Sequence, residues 1–313
     1  MKENGFIWGI DLGGTKVEGV ILGPGRLNEV VFRNRLPTGA QIGYDAILNQ
    51  VAALAAAMEK ATGGRPKQIG IGTPGTLDPA LGLMRGCNSE CLNGKPLKDD
   101  LERMLDMQVV IANDANCFAL AETRMGVVKQ KYPAAQVVFG IILGTGVGGG
   151  LVIDGRAISG LHGIAGEWGH NFLDDSGGKC FCGKVGCVER ILAGPALEAY
   201  HYSISGETLS LQEIHRASKE GDRNALMTIH RLTDYFGKAI SGVINTIDPD
   251  VIVVGGGVGR IDEIYTDGKE AARKCIFNNG IMKTAIVPPM LGDSAGVFGA
   301  AYLTLSLLDQ VVD

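Results

Sequence analysis

The chain has 313 residues, 45% hydrophobic and 20% charged, with a formal net charge of -5. That length exceeds one ordinary core and predicts two lobes of a soluble globular protein. The net negative charge offers nothing global to nucleic acid or an anionic membrane, and no apolar run reaches the ~20 residues that span a bilayer. The start of the chain lacks a signal-peptide layout, since Gly5-Phe6-Ile7-Trp8 runs straight into Asp11.

In chain order, 9–22 reads as strand, glycine turn, strand. Ile47, Val51, Leu54 and Met58 fall at helical spacing, and Gly63-Gly64 would stop that helix. A strand over 67–72 enters the turn Thr73-Pro74-Gly75. Leu97, Leu101, Met104 and Leu105 mark a second helix, and a strand follows over 108–112. The segment 140–153 repeats the strand–turn–strand layout of 9–22, with five of 14 positions identical. Chance likeness of two glycine-rich hairpins is one explanation; a duplicated α/β lobe is the other. A long helix is outlined by Leu226, Ile229, Leu232, Phe236, Ile240, Val243 and Ile247, and ends before Asp248-Pro249-Asp250. A strand over 251–254 then meets Gly255-Gly256-Gly257. The last expected helix, 294–308, carries Gly296, Gly299 and Ala300 on a face suited to close packing. Alternating strands and helices predict α/β lobes with mixed sheets.

Glycine stands out at 47 residues, gathered in runs beside strand-like segments. In Asp11-Leu-Gly-Gly-Thr-Lys16, Gly13 and Gly14 expose backbone N–H groups to phosphate oxygens, Thr15 adds a hydroxyl, and Asp11 suits Mg²⁺. A plain tight hairpin with an exposed Asp fits the same residues. The run Gly144-Thr145-Gly146-Val147-Gly148-Gly149 satisfies G-x-G-x-x-G, but a strand follows it where a dinucleotide fold needs a helix. A dehydrogenase is therefore excluded, and the Walker A and protein-kinase patterns are absent. The third run, Gly255 to Gly257, could lie flat against a nucleotide's ribose and base.

Seven cysteines make an odd count and argue for a reducing, cytoplasmic compartment. Cys87, Cys91, Cys117 and Cys275 show no ligand spacing. Cys180, Cys182 and Cys187 do, and with His170 they complete a closed tetrahedral zinc set that organises a loop. Asn113-Asp114-Ala115-Asn116 follows a strand, so Asp114 is placed either to face a ligand or to cap a helix. Glu167 and Glu189 flank the zinc loop. Glu167 and His170 could face one hydroxylated ligand, although solvated acidic surface is the usual fate of Glu.

Together these motifs, with Asn88-Ser89-Glu90-Cys91-Leu92-Asn93-Gly94 and Gly292-Asp293-Ser294-Ala295-Gly296, resemble the ROK family of bacterial sugar kinases and sugar-responsive repressors. The likeness runs over about 7–302. It implies a two-lobed actin- and hexokinase-like fold with ATP and sugar in the cleft. The smaller lobe would hold 1–113 plus about 294–313, and the larger one 114–293. It further implies Asp114 as general base, and Gly75, Asn88, Asn113, Glu167, His170 and Glu189 as sugar contacts. Asp11, Gly13, Gly14, Thr15, Lys16, Gly144, Thr145, Gly146 and Gly255 to Gly257 would hold Mg-ATP. His170, Cys180, Cys182 and Cys187 would hold Zn²⁺, and a homodimer is expected. Segment 88–94 leans towards fructose or mannose; 143–150 is similar to N-acetylglucosamine kinases, and glucose fits too. A repressor would carry a helix-turn-helix, for which the ten residues before Asp11 leave no room.

Overall fold

The computed structural model describes residues 5–23 and 29–305. Its first elements are β1 (Ile7–Leu12), β2 (Lys16–Leu22), β3 (Val30–Pro37), α1 (Tyr44–Thr62), β4 (Gln68–Thr73), β5 (Thr76–Leu77), β6 (Met84–Arg85), α2 (Leu97–Leu105), β7 (Gln108–Asn113), α3 (Asp114–Arg124) and α4 (Val127–Lys131). They are followed by β8 (Val137–Leu143), β9 (Val147–Ile153), β10 (Arg156–Ile158), α5 (Glu189–Leu192), α6 (Gly194–Ser205), α7 (Leu211–Lys219), α8 (Arg223–Ile247), β11 (Val251–Gly255), α9 (Asp267–Cys275), β12 (Ala285–Val287) and α10 (Ala295–Tyr302).

Two five-stranded sheets carry one topology. The first has the order β3-β2-β1-β4-β7 and the second β10-β9-β8-β11-β12. In each, a hairpin supplies the antiparallel strands, and parallel strands extend the other side: β1 pairs β4 and β4 pairs β7, as β8 pairs β11 and β11 pairs β12. The likeness between 9–22 and 140–153 therefore falls on the opening hairpins of two equivalent sheets.

The chain divides into two units, one of Met1–Pro133, Gly150–Ala165 and Met290–Asp313, the other of Ala134–Gly149 and Gly166–Pro289. In the first, Trp8, Ile10 and Leu12 of β1 and Ile69 and Ile71 of β4 bury with Ile47, Val51, Leu54 and Met58 of α1. Leu97, Leu101 and Leu105 of α2 close the same core. Burial of each such side chain contributes about 1.5–3 kcal/mol. Gly63 ends α1 in the left-handed region at φ 71°, where a glycine costs least. Helix α10 lies so close to the sheet that a Cβ at Gly70 would sit 1.7 Å from the Ala300 carbonyl oxygen. A Cβ at Gly299 would sit 1.8 Å from the carbonyl oxygen of Cys117 on α3. The close-packing face expected for the last helix is thus used, within shorter bounds; 306–308 of the expected helix lie outside the described residues.

In the second unit, all five residues of β11 are buried, as expected of a parallel strand covered on both faces. Helix α8 buries Ala225, Ile229, Leu232, Phe236, Ile240 and Ile244. Asp222 caps it by accepting the Ala225 N–H at 2.7 Å, so the helix begins before Leu226, the first apolar position of the pattern. Among the described residues, no helix is long and apolar enough to cross a membrane.

Candidate active site

In the first unit the turn between β1 and β2 is pinned from β3's end. The Gly13 N–H donates to the Lys16 carbonyl at 3.0 Å. Buried Thr38 donates its hydroxyl to the Gly13 carbonyl at 2.8 Å and its N–H to the Thr15 carbonyl at 3.0 Å. Gly14, Thr15 and Lys16 are left exposed. Among the described residues the amides of Gly14 and Thr15 donate to no protein acceptor, the condition of an anion-binding turn.

Asp11 sits half-buried just before this turn. Glycines stand on both sides of its carboxylate. A Cβ on Gly72 would lie 3.2 Å from Oδ1, and one on Gly296 would lie 2.9 Å from Oδ2. Burial first, then the charges of Asp114 and Glu18, raise its pKa from 3.8 to about 6. A hard cation would relieve that penalty, so the donor chemistry fits Mg²⁺. Strand β7 delivers Asp114 to the first position of α3. Asn113 is the N-cap, its Oδ1 accepting the Asn116 N–H at 2.7 Å, while the Asp114 carboxylate accepts the Ala115 N–H at 2.7 Å. Capping thus falls to Asn113, and Asp114 opens the helix beside it. Water reaches Asp114, yet the protein packed around it raises its pKa, with the backbone N–H bonds only partly offsetting the loss of hydration. Cys117 is buried near both carboxylates, and burial first, then their charges, holds its thiol well above the ordinary range.

Asn88 is exposed on a loop that passes Gly75. A Cβ on Gly75 would lie 2.4 Å from the Cys87 sulfur. Ser89 of the same loop places Oγ 3.7 Å from the Cβ position of Gly14. The first unit therefore gathers Asp11, the Gly13–Lys16 turn, Gly75, Asn88, Asn113 and Asp114 into one neighbourhood.

In the second unit the β8–β9 turn closes with the Gly144 N–H on the Gly146 carbonyl at 2.9 Å. Glu189, at the start of α5, accepts the Val147 N–H on Oε2 at 3.0 Å. A Cβ on Gly146 would stand 2.7 Å from that oxygen. The Glu189 carboxylate is therefore tied to the glycine loop through Oε2. Thr145 at the tip is exposed. Gly256, at φ 83°, has no room for a side chain: a Cβ would lie 2.1 Å from the Leu143 carbonyl oxygen. Gly144 and the Gly255–Gly257 run thus meet at the C-terminal ends of β8 and β11, where ligands of parallel sheets bind. Trp168 donates its indole N–H to the Gly148 carbonyl at 3.1 Å, anchoring the turn that begins after half-buried Glu167 and ends at His170.

His170, Cys180, Cys182 and Cys187 bring their ligand atoms within 4.8 Å of one another. The Cys182 and Cys187 sulfurs are 3.6 Å apart, and His170 Nδ1 is 3.7 Å from the Cys180 sulfur. Tetrahedral Zn²⁺ with bonds of about 2.0–2.3 Å needs donors spaced about 3.5–3.8 Å. The set fits zinc. Burial pushes the Cys187 thiol up to about 12, with the neighbouring thiols adding to the shift; a cation reverses that penalty.

Some groups that shape these sites are invisible in motif reading. Thr38 has no pattern around it. Glu18 leaves a signal, a lone carboxylate in the apolar strand β2. It is 2% exposed and held by Arg33 at 2.5 Å and Arg35 at 2.8 Å, opposite Asp11 in the hairpin register.

Paired sheets of one order, glycine turns at strand ends and neighbouring carboxylates beside them define an α/β protein of the two-lobed actin- and hexokinase-like class. The model of the ROK family matches residues 7–306, and the chain belongs to that family. It is 34% identical to the N-acetyl-D-glucosamine kinase of Escherichia coli O6:H1 over 313 residues, covering 96% of this chain and 99% of that one. A ROK hexokinase from Thermus thermophilus superposes with a TM-score of 0.86 at 30% identity, covering 97% of this chain and 99% of the other. A ROK glucokinase from Streptomyces griseus, solved with glucose and AMPPNP, gives a TM-score of 0.74 at 26% identity, covering 96% and 99%.

Proposed function

We propose that this chain phosphorylates N-acetylglucosamine, moving the γ-phosphoryl group of Mg-ATP to the sugar's 6-hydroxyl. It is an ATP-dependent sugar kinase, a phosphotransferase with an alcohol group as acceptor. The observation that carries the reading is Asp114, a carboxylate with a raised pKa at the junction of β7 and α3, in the neighbourhood of Asp11 and the phosphate-binding turn. The sugar rests on relatives 34–36% identical over nearly their whole length, each named N-acetyl-D-glucosamine kinase.

Phosphoryl transfer needs positioning, charge neutralisation and a base for the attacking hydroxyl. Asp114 accepts the hydroxyl proton as the oxygen bonds to the γ-phosphorus, the bond to the bridging oxygen breaks, and ADP leaves. Asp11 would hold Mg²⁺, which when bound would supply charge neutralisation for the phosphates. In the first unit, Gly13, Gly14, Thr15 and Lys16 orient phosphate, while Gly75, Asn88 and Asn113 orient sugar. In the second unit, Gly144, Thr145 and Gly146 orient phosphate, and Gly255 to Gly257 receive the adenosine. Glu167, His170 and Glu189 accept or donate bonds to sugar hydroxyls there. His170 can do so because Nδ1 faces the metal set, and its second nitrogen carries the proton that donates. Zinc is structural, because four protein donors leave no open position.

Product analysis tests the reading. Phosphorus NMR after incubation with Mg-ATP and N-acetylglucosamine should reveal a new phosphomonoester, and the 6-deoxy sugar should yield none. A product from the 6-deoxy sugar would overturn the acceptor assignment.

A further inference from the structure

The loop that carries Asn88 is closed by a side chain within the 88–94 motif to which the sequence alone assigns no role. Asn93 makes a reciprocal pair with the backbone of Cys87: its Oδ1 accepts the Cys87 N–H at 2.9 Å, and its Nδ2 donates to the Cys87 carbonyl at 3.1 Å. An amide has the one donor and one acceptor, side by side, that such a pairing requires. Around it, the Leu92 N–H donates to the Ser89 carbonyl at 3.0 Å, and the Gly94 N–H to the Met84 carbonyl at 2.8 Å. The loop is clasped at its neck by one side chain and fastened behind it to β6.

Both flanks of the clasp touch proposed site residues. Cys87 rests against Gly75, where even a Cβ would collide with its sulfur. Ser89 lies over Gly14 of the phosphate turn, with Oγ 3.7 Å from the Cβ position. Asn88 sits between those two contacts in the chain. Its side chain is exposed, so burial does not fix it, and the backbone on either side does. Asn93 is itself exposed and Leu92 beside it is fully buried. The apolar anchor therefore stays in the core when the amide is removed, and the loop neck alone loosens.

We infer that Asn93 is a positioning residue for the acceptor sugar: its amide clasps the Cys87 backbone and so fixes Asn88 between Gly75 and the phosphate turn. The inference rests on the reading of Asn88 as a sugar contact. It assigns Asn93 no contact with substrate. The expected signature is a loss of sugar binding without an equal loss of nucleotide binding, because the clasp orders the Asn88 loop and leaves Thr38's hold on the phosphate turn intact.

The test compares wild type, Asn93→Ala, Asn93→Ser and Asn88→Ala in steady state with Mg-ATP and N-acetylglucosamine. Hydrogen exchange of a peptide covering 84–95 is followed alongside. Asn93→Ala should raise KM for the sugar about tenfold, leave KM for ATP within about twofold, and speed exchange at the loop. Asn93→Ser, too short to make both bonds, should repeat the pattern and stands in if the alanine variant fails to fold. An unchanged sugar KM in the Asn93 variants, with Asn88→Ala raising it, would overturn the clasp and leave the sugar contact standing. An unchanged sugar KM in Asn88→Ala would overturn both. A parallel rise in KM for sugar and ATP would also overturn the inference, since it reports general loosening.

Discussion

Asp11 illustrates how one residue couples stability to function. Its pKa in the folded protein is about 6 against an ordinary 3.8, mainly through burial. The folded state therefore holds that proton more tightly than the unfolded chain. The associated stability is fully present below about pH 4 and is lost as pH rises to about 6. The shift corresponds to no more than ~3 kcal/mol, and to less where solvent reaches the side chain. Metal-free protein should accordingly lose stability across that window in denaturant titrations. Asp11→Asn should flatten the dependence, and an unchanged slope would contradict the assignment. Single residues were legible in the sequence in proportion to their local signature. Asp11, Asp114 and the four metal-site residues stand in recognisable spacings. Thr38 and Asn93 act on backbone far from themselves in sequence or closed by a turn, and no periodicity marks such a partner.

At the scale of elements, the segment from Glu167 to Glu189 has little regular structure, yet it positions three proposed sugar contacts. Two short 3₁₀ turns, Trp168–His170 and Asp175–Gly177, and isolated bridges from Phe172 to Cys187 and from Lys179 to Val185 are what its backbone offers. Such a segment lacks the apolar burial that holds a helix, so a metal ion held by the four donors that meet there would take that place. Stripping zinc with a chelator, or replacing exposed Cys182 by Ser, should lower the melting temperature. It should also raise the sugar KM by about 10- to 100-fold while the KM for ATP stays near its starting value. Full sugar affinity in zinc-free protein would contradict the role. The spacing of the three cysteines made this element readable. The three-residue strands β10 and β12 were not, because a two-residue period cannot be recognised over so few positions.

For the whole molecule, the duplicated sheet order explains why glycine runs recur at matching places. Each sheet opens with a hairpin, and each hairpin turn lies at the end of a central strand, so the turns proposed to hold phosphate occupy the same place in both sheets. Five identities in 14 residues could only suggest this; the parallel strands that complete each sheet are too short to add to the signal, since buried apolar runs satisfy any parallel strand equally well. Sugar choice lies beyond motif reading for a related reason. Discrimination between hexoses depends on hydrogen bonds to single hydroxyl or acetamido groups, and in the proposed reading loops such as 88–94 would set these through backbone position. The most direct test of the account is ADP release with Mg-ATP across glucose, fructose, mannose, N-acetylglucosamine and N-acetylmannosamine, with Asp114→Asn as control. The account predicts the highest kcat/KM on N-acetylglucosamine and a fall in kcat of about 10²–10⁴-fold in the variant, with sugar binding and folding retained. Near-normal turnover by Asp114→Asn, or silence of the zinc-loaded wild type on every sugar, would contradict it.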